Sequence, residues 1–222
     1  MSKKCVECRL VHYSSAATCE RCGGELRNLN GTMDRLNNFA ATIARRASVC
    51  ALVLIIVLAG FYLSLIGSAR SLSYDDKQTV KRSIAILRER GFTNEAFYLE
   101  NLAAFRGSDN WLNASVAKEN AYAATNFPFE IITLYSDFFT YPVDDIERAA
   151  ILLHEAKHLA GADEREAYEF VWKHRDQLGW TFTEYAESTV WHNIRKQTKE
   201  NVPELFTCTE LAYFDCTEPR IR

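Results

Sequence analysis

A long uncharged stretch dominates the pattern of apolar and polar positions along the chain. No charged residue occurs over 47–69, and the core of this stretch, 49–67, is VCALVLIIVLAGFYLSLIG. A helix rises 1.5 Å per residue, so about twenty residues cross the roughly 30 Å of bilayer hydrocarbon. The buried helix of a soluble domain usually keeps a polar stripe, which this stretch lacks. The pattern therefore predicts a transmembrane helix over 47–69.

Beyond this stretch, apolar positions recur at helical spacing in several segments, and one short apolar segment is typical of a strand. Asp144 is a predicted N-cap, with Glu147 three residues later as in a capping box. The pattern predicts an α+β domain over 70–222, mostly helical with a small sheet. Its predicted helices are 75–90, 95–105, a helix from Asp144 through His158, 164–178 and 183–197; its strand is 129–135, followed by an aromatic loop to Pro142.

The charge balance of the chain changes sign at the end of the apolar stretch. Residues 1–70 hold nine Lys and Arg against four Asp and Glu, a balance of +5, whereas 71–222 hold seventeen against twenty-five, a balance of −8. The acidic C-terminal part argues against a nucleic-acid partner. Arg45 and Arg46 directly precede the span, and this positive-inside bias predicts a cytoplasmic N-terminus and an extracytoplasmic C-terminal domain. Since 46 residues precede the apolar stretch, we interpret it as an uncleaved anchor and not a signal peptide.

Four cysteines near the N-terminus have the spacing of two zinc knuckles. Cys5 and Cys8 form one CxxC, and Cys19 and Cys22 form a second, ten residues later. Four thiolates suit a tetrahedral zinc ion, and metal binding would drive the folding of so small a module. The pattern resembles a short zinc ribbon, to which we assign 1–28. A protein partner is expected for this ribbon.

Three further assignments concern less patterned positions. Residues 29–46 are predicted as a linker interrupted by asparagines, with a short amphipathic piece as an alternative. His12, between the knuckles, is expected at the surface and not as a fifth ligand. Cys208 and Cys216 either form a disulfide on an oxidising side of the membrane or remain two thiols.

The sequence HEAKH, which runs from His154 to His158, lies on the predicted helix after Asp144. Two histidines four residues apart differ by about 40° around a helix, so both imidazoles face one side and can share a metal. Glu155 is placed beside them to hold and deprotonate a metal-bound water. We therefore predict His154 and His158 as zinc ligands and Glu155 as the general base.

A third ligand is expected shortly after this helix. In a continuous helix Glu164 would point about 240° away from His158. Gly161 resolves this difficulty if it takes a left-handed conformation, ends the helix and turns the chain so that a carboxylate returns to the metal. Glu164 is the predicted third ligand, Glu166 is the runner-up, and Glu187 is a more distant candidate.

The motif HExxHxxGxxE, from His154 to Glu164, resembles the elongated motif of metzincin-type zinc peptidases, with Glu in place of their third His. The following Glu164-Arg165-Glu166-Ala167 is similar to the ExxA element of gluzincins. The resemblance to zincin metallopeptidases implies a zincin-like domain with peptidase activity. It also implies that the strand 129–135 lines the cleft and binds an extended peptide by β-augmentation.

The resemblance raises two further expectations about individual side chains. Lys157 places a charge inside HExxH where uncharged residues are the rule, and we expect it to reach solvent or to pair with a carboxylate. Zincins often stabilise the oxyanion with a Tyr or His side chain, and Tyr168, Tyr185 and His192 are candidates for that donor.

Together these features predict a single-pass membrane zinc endopeptidase that holds two zinc ions. The catalytic ion would bind His154, His158 and Glu164, and the structural ion would bind the four cysteines. Its expected partners are a peptide or protein substrate, the lipid bilayer and a protein bound by the ribbon. The alternative is a noncatalytic membrane adaptor whose ribbon recruits a partner and whose HExxH helix is structural.

Overall fold

The computed structural model describes residues 2–13, 15–29, 31–112, 122–126, 128–207 and 217, and for 31–36 the backbone alone. These residues are mostly helical and include two three-stranded sheets, which agrees with the predicted α+β class. The chain divides into two compact units, Met1–Gly60 and Phe61–Arg222. Cys208 and Cys216 lie outside the described residues, so the prediction for that pair stays a prediction.

The N-terminal unit begins with a small antiparallel sheet. Its strands β1 (Lys3–Cys5), β2 (Val11–His12) and β3 (Leu26–Asn28) are arranged in the order β2-β1-β3. The buried apolar core consists of Cys5, Cys19 and Leu26. So small a core supplies little hydrophobic stabilisation, and cross-links such as a metal are what stabilise modules of this size.

The apolar stretch lies on one long helix, α1 (Gly31–Ser68). Its segment Asn37–Ser68, 32 residues long, contains an 18-residue window with a mean hydropathy of 2.9 and is long and apolar enough to cross a membrane. The helix starts well before the predicted span, so the asparagines of 29–46 do not interrupt it from Gly31 onward. Helix propensity differs by only a few tenths of a kcal/mol between Asn and most other residues, which is too little to break a helix continuous with an apolar one.

The C-terminal unit surrounds one central helix, α5 (Asp145–Leu159), which carries HEAKH and packs against three helices and one strand. In its sheet the central strand β6 (Ile131–Leu134) pairs parallel with β4 (Ala104–Arg106) and antiparallel with β5 (Ala123–Asn126). The elements are α2 (Tyr74–Glu89), α3 (Thr93–Asn101), β4 (Ala104–Arg106), β5 (Ala123–Asn126), β6 (Ile131–Leu134), α4 (Ser136–Thr140), α5 (Asp145–Leu159), α6 (Glu164–Leu178), α7 (Phe182–Tyr185), α8 (Thr189–Asn201) and a 3-10 turn, Pro203–Phe206.

Three tryptophans fill the core between α6 and α8. Trp172, Trp180 and Trp191 are at most 1% exposed, and their rings lie 4.8–6.1 Å apart. Large aromatic side chains bury much apolar area, and this cluster stabilises the packing of α6 against α8.

Three local predictions were wrong in their boundaries. The predicted helix 95–105 ends at Asn101, because Phe105 belongs to β4 and pairs with Ile132 of β6. The predicted aromatic loop before Pro142 contains the short helix α4. The predicted helix 183–197 is divided into α7 and α8, because the Ser188 side chain accepts hydrogen bonds from two backbone N–H groups and caps α8.

Candidate metal centres

The helix α5 begins at a well-formed cap. The Asp144 carboxylate accepts hydrogen bonds from the backbone N–H groups of Ile146 and Glu147, as the sequence predicted. Glu147 does not close a capping box; it accepts instead from Val143 N and from Trp180 Nε1, and it is completely buried. These bonds fix the start of a helix whose apolar residues are buried in the core.

The two histidines lie one turn apart near the end of α5. The Nε2 atoms of His154 and His158 are 3.0 Å apart, and their rings meet edge to face. His154 Nδ1 is buried and has no hydrogen-bond partner among the described residues, whereas its Nε2 faces His158. Both Nε2 atoms therefore point to one place, as expected for i, i+4 histidines that share a ligand.

Gly161 ends the helix in the predicted manner. Its φ is +88°, in the left-handed region that suits glycine, and the backbone N–H of Ala162 donates back to the Lys157 carbonyl. The same turn places the Ala162 carbonyl 3.0 Å from His158 Nδ1, which must donate to it. A metal-binding histidine usually donates its second N–H in this way, which fixes the tautomer and leaves Nε2 for the metal.

The turn brings Glu164 back to the histidines. Glu164 Oε2 lies 3.2 Å from His154 Nε2, and Oε1 lies 3.5 Å from His158 Nε2. Zinc bonds of about 2.0–2.1 Å in a tetrahedron place ligand atoms roughly 3.3 Å apart, so the three side chains fit the ion. The Glu164 side chain is 64% exposed, which makes one side of the cluster open.

Charge within the cluster follows from these contacts. Hydrogen bonds from His154 and His158 hold the pKa of Glu164 far below its usual range. Burial lowers the pKa of His158, but the hydrogen bond with Glu164 and the bond to the Ala162 carbonyl outweigh burial and raise it to about 9. The cluster thus pairs a fixed anion with a basic imidazole where a cation would bind.

Glu155 lies beside this cluster and is only 5% exposed. Its Oε2 accepts a hydrogen bond of 2.7 Å from Thr125 Oγ1 on β5. A buried carboxylate held by a single hydroxyl keeps a second oxygen available for a proton. Sequence reasoning missed Thr125, because β5 lies in a region without a clear pattern and nothing local connects it to α5.

Neither rival ligand belongs to the cluster of His154, His158 and Glu164. Glu166 closes a capping box with Asp163, since its Oε2 accepts from the Asp163 backbone N–H while Asp163 caps α6. Glu187 is exposed and lies between α7 and α8. Among the three acidic residues considered, Glu164 is the one that reaches the histidines.

Lys157 pairs with a carboxylate, which was one of the two arrangements predicted for its side chain. Its Nζ lies 3.4 Å from Glu95 Oε1 on α3 and 4.0 Å from the centre of the Phe170 ring on α6. The charge is thus satisfied by residues that are not part of the His154, His158 and Glu164 cluster. Lys157 consequently does not obstruct a metal there.

The three candidate oxyanion donors differ in position. The Tyr168 ring lies 4.3 Å from the His154 ring, and burial raises the pKa of its hydroxyl. The Tyr185 hydroxyl donates to Asp144 at 2.7 Å, about 15 Å of helix away from His154. His192 is exposed on α8. Of the three, Tyr168 is the one in contact with the site.

The strand expected to line the cleft is the central strand of its sheet. The predicted segment 129–135 contains β6, which pairs with β4 on one side and β5 on the other, so its backbone cannot accept a peptide. Within the described residues, the edge next to α5 belongs to β5, the strand of Thr125. The expectation that 129–135 binds an extended peptide by β-augmentation was therefore wrong, because the order of strands in a sheet is a non-local property.

The four N-terminal cysteines form the second cluster. Sγ of Cys5 lies 3.4 Å from that of Cys22, and Sγ of Cys8 lies 3.6 Å from that of Cys19. Zinc–sulfur bonds of about 2.3 Å give sulfur separations near 3.8 Å, so this cluster also fits the ion. The backbone amide of Cys8 donates to the Cys5 sulfur and helps to lower the pKa of that thiol to about 7.

His12 contacts this cluster as well. Its Nε2 lies 3.2 Å from Cys19 Sγ, and the side chain is half-buried. The side chain is thus partly exposed, and in addition it contacts a cysteine of the cluster. An N–H donated to a thiolate reduces the charge on the sulfur and orients it for a metal.

No family model, no curated protein and no solved structure matches this chain. The clusters are therefore interpreted from their own residues and geometry.

Proposed function

We propose that the chain is a membrane-anchored zinc endopeptidase that hydrolyses peptide bonds at the His154, His158 and Glu164 cluster. The observation that carries the proposal is the convergence of these three ligand atoms beside the buried carboxylate of Glu155. Three protein ligands with an open side distinguish catalytic from structural zinc sites. The zincin-like interpretation of the domain belongs to this proposal.

A zinc ion bound there would polarise the scissile carbonyl and make water acidic. Glu155 takes the proton of the attacking water and returns it to the leaving amine. The hydrogen bond from Thr125 holds one of its oxygens in place, so the other oxygen acts as the base. Burial of Glu155 strengthens its interactions, because the local dielectric constant is low.

The remaining residues position these groups. His158 is oriented by the Ala162 carbonyl, and the Tyr168 ring packs against His154. Tyr168 is the proposed donor to the oxyanion of the substrate. The edge of β5 supports binding of an extended peptide through backbone hydrogen bonds, and Thr125 connects that strand to Glu155.

The N-terminal cluster is proposed to hold a structural zinc ion, and α1 to cross the membrane. Four thiolates leave no open position for chemistry, so the ribbon is assigned to folding and to binding a protein partner. The arginines before the span support an N-terminus in the cytoplasm and a catalytic unit on the other side.

The test is cleavage of an unfolded reporter protein by the full-length chain loaded with zinc. Glu155→Gln removes the base but keeps the shape of the side chain, and we expect cleavage to fall by about a thousandfold while zinc content is unchanged. Glu166→Gln is the matched control, because this residue lies in the cap of α6 and not in the cluster. Undiminished cleavage by Glu155→Gln would refute the mechanism. Absence of cleavage by the wild-type chain would favour the noncatalytic adaptor.

A further inference from the structure

The end of α1 from Phe61 onward belongs to the C-terminal unit, and residues of β4 and of the segment after it donate hydrogen bonds to it. Trp111 donates from Nε1 to Ser64 Oγ at 3.3 Å and from its backbone N–H to Ser68 Oγ at 3.2 Å. Arg106 Nε donates to the Ile66 carbonyl at 3.3 Å. These contacts are spread along more than one helical turn, so they fix the direction of the helix end as well as its position.

Aromatic rings pack against the same part of the helix. The Phe61 ring lies 5.7 Å from the Trp111 ring and 5.4 Å from the Phe129 ring. Trp111 is nevertheless 51% exposed, and its neighbour Leu112 is 38% exposed. We call Phe61, Trp111, Leu112 and Phe129 the collar. It is an exposed apolar surface continuous with the apolar helix.

The length of the helix places the collar at the level of the bilayer. Residues 47–60, which follow Arg46, are exposed and cover fourteen positions, or about 21 Å. The hydrocarbon core is roughly 30 Å thick, so these residues alone are too short to cross it. The next two turns, which begin at Phe61 and end before Arg70, must supply the difference. Those turns include Phe61 of the collar, and Trp111 of the collar donates hydrogen bonds to them.

The collar is also close to the proposed active site. The backbone N–H of Phe129 donates to the Asn126 carbonyl at 3.0 Å across the turn between β5 and β6. Thr125, the next residue on β5, donates to Glu155. By the reach of an extended chain, the carboxylate of Glu155 lies within about 25 Å of Phe61.

We propose that the collar rests in the membrane interface and presents the active site to juxtamembrane segments of other membrane-anchored proteins, which are its substrate class. Tryptophan is enriched at the headgroup level, and Arg70, two residues after the end of α1, suits the same boundary. A site so close to the bilayer meets a tethered segment at a high local concentration. The substrate class rests on the proposed peptidase function, whereas the lipid contact does not.

The lipid contact is tested by tryptophan fluorescence of the full-length chain in phosphatidylcholine vesicles with brominated acyl chains. All four tryptophans lie in the described residues, and three are at most 1% exposed, so Trp111 is the one open to a lipid quencher. We expect bromine near the glycerol end of the chains to remove the Trp111 emission, and Trp111→Phe to abolish that loss. Equal emission in brominated and plain vesicles, or quenching that persists in Trp111→Phe, overturns the proposal.

The substrate class is tested with two membrane-anchored reporters reconstituted in the same vesicles. Each carries one unstructured segment, placed either about ten or about sixty residues from its membrane helix, and we expect the near segment to be cleaved about tenfold faster. Equal rates, or a faster distant segment, overturn the substrate class. If neither reporter is cleaved while Trp111 is quenched, the peptidase function fails and the lipid contact stands.

Discussion

The two candidate metal clusters have similar local turn geometry but differ in how completely their side chains can enclose an ion. The four cysteines of the ribbon can surround an ion completely, and Cys5 and Cys19 are almost fully buried. The second cluster supplies three ligands, one of them the exposed Glu164, and has the buried Glu155 beside it. A closed set of soft ligands favours structure, whereas an open set with a neighbouring base favours catalysis.

Both clusters depend on a residue with positive φ directly after a ligand-bearing segment. In the ribbon Arg9 (φ 60°) and Gly23 (φ 75°) follow the two knuckles, and their N–H groups donate to the carbonyls of Cys5 and Cys19. In the C-terminal unit Gly161 (φ 88°) has this role. The difference between a closed and an open site therefore lies in the donor side chains and their surroundings, since the turns are alike.

The largest effect is expected from removal of ribbon thiolates. Cys5→Ser together with Cys22→Ser removes half of the ligands, and because the unit has so small a core, the sheet of residues 2–29 should unfold. Amide hydrogen exchange would detect a complete loss of protection in 2–29 and unchanged protection in α5 and α6. Retained protection in the ribbon would mean that its fold does not depend on metal.

Loss of the Thr125 hydroxyl should affect the open site alone. Thr125→Val is expected to reduce kcat by about 10–100-fold with zinc content unchanged, because Glu155 is no longer held by a hydrogen bond. Thr125→Ser keeps the hydroxyl and serves as the matched control. If KM rises and kcat does not fall, Thr125 supports the substrate strand and not the base.

Substitutions at the positive-φ turn residues are expected to have smaller effects than the loss of ligands or of the Thr125 hydroxyl. Gly161→Ala meets no atom within 4 Å, so its cost is the left-handed backbone alone, about 1–2 kcal/mol. Chemical denaturation, followed by the fluorescence of the buried tryptophans, should show this loss of stability.

The reverse change in the ribbon, Arg9→Gly, removes the strain of a left-handed non-glycine residue. It should tighten zinc binding by the ribbon about fivefold, which competition with a chelator measures. A neutral result for both variants would mean that these turns carry no strain.

The smallest effect is expected at Lys157. Its partners are Glu95 and Phe170, so Lys157→Ala should cost about 1 kcal/mol of stability and leave cleavage within about twofold of wild type. Glu95→Gln is the matching change on the other side of the ion pair. A large loss of cleavage in Lys157→Ala, with stability unchanged, would place this charge in the catalytic mechanism.

The sequence predicted the parts of the site that are local along the chain. His154, His158 and Glu164 lie within eleven residues, and helix periodicity together with one glycine turn was enough to bring them together. Thr125 lies 30 residues before Glu155 on a strand with no clear pattern, so nothing local indicates its contact. Pairing across a sheet depends on residues far apart in sequence, which local propensity does not contain.

The same reasoning explains which secondary-structure predictions were wrong. Phe105 has the apolar spacing of a helix, but its pairing with Ile132 makes it a strand residue. Residues 129–135 were identified as containing a strand, yet their position in the centre of the sheet follows from β4 and β5 on either side. The helix caps at Asp144 and Gly161 were predicted well, because a cap depends on a few adjacent residues.

The most direct test of the central claim is the number of zinc ions per full-length chain, measured by elemental analysis of the wild type and of His154→Ala. We predict two ions in the wild type and one in His154→Ala, with the remaining ion held by the four cysteines. A single zinc in the wild type, unchanged by His154→Ala, would contradict a second metal centre and with it the proposed peptidase.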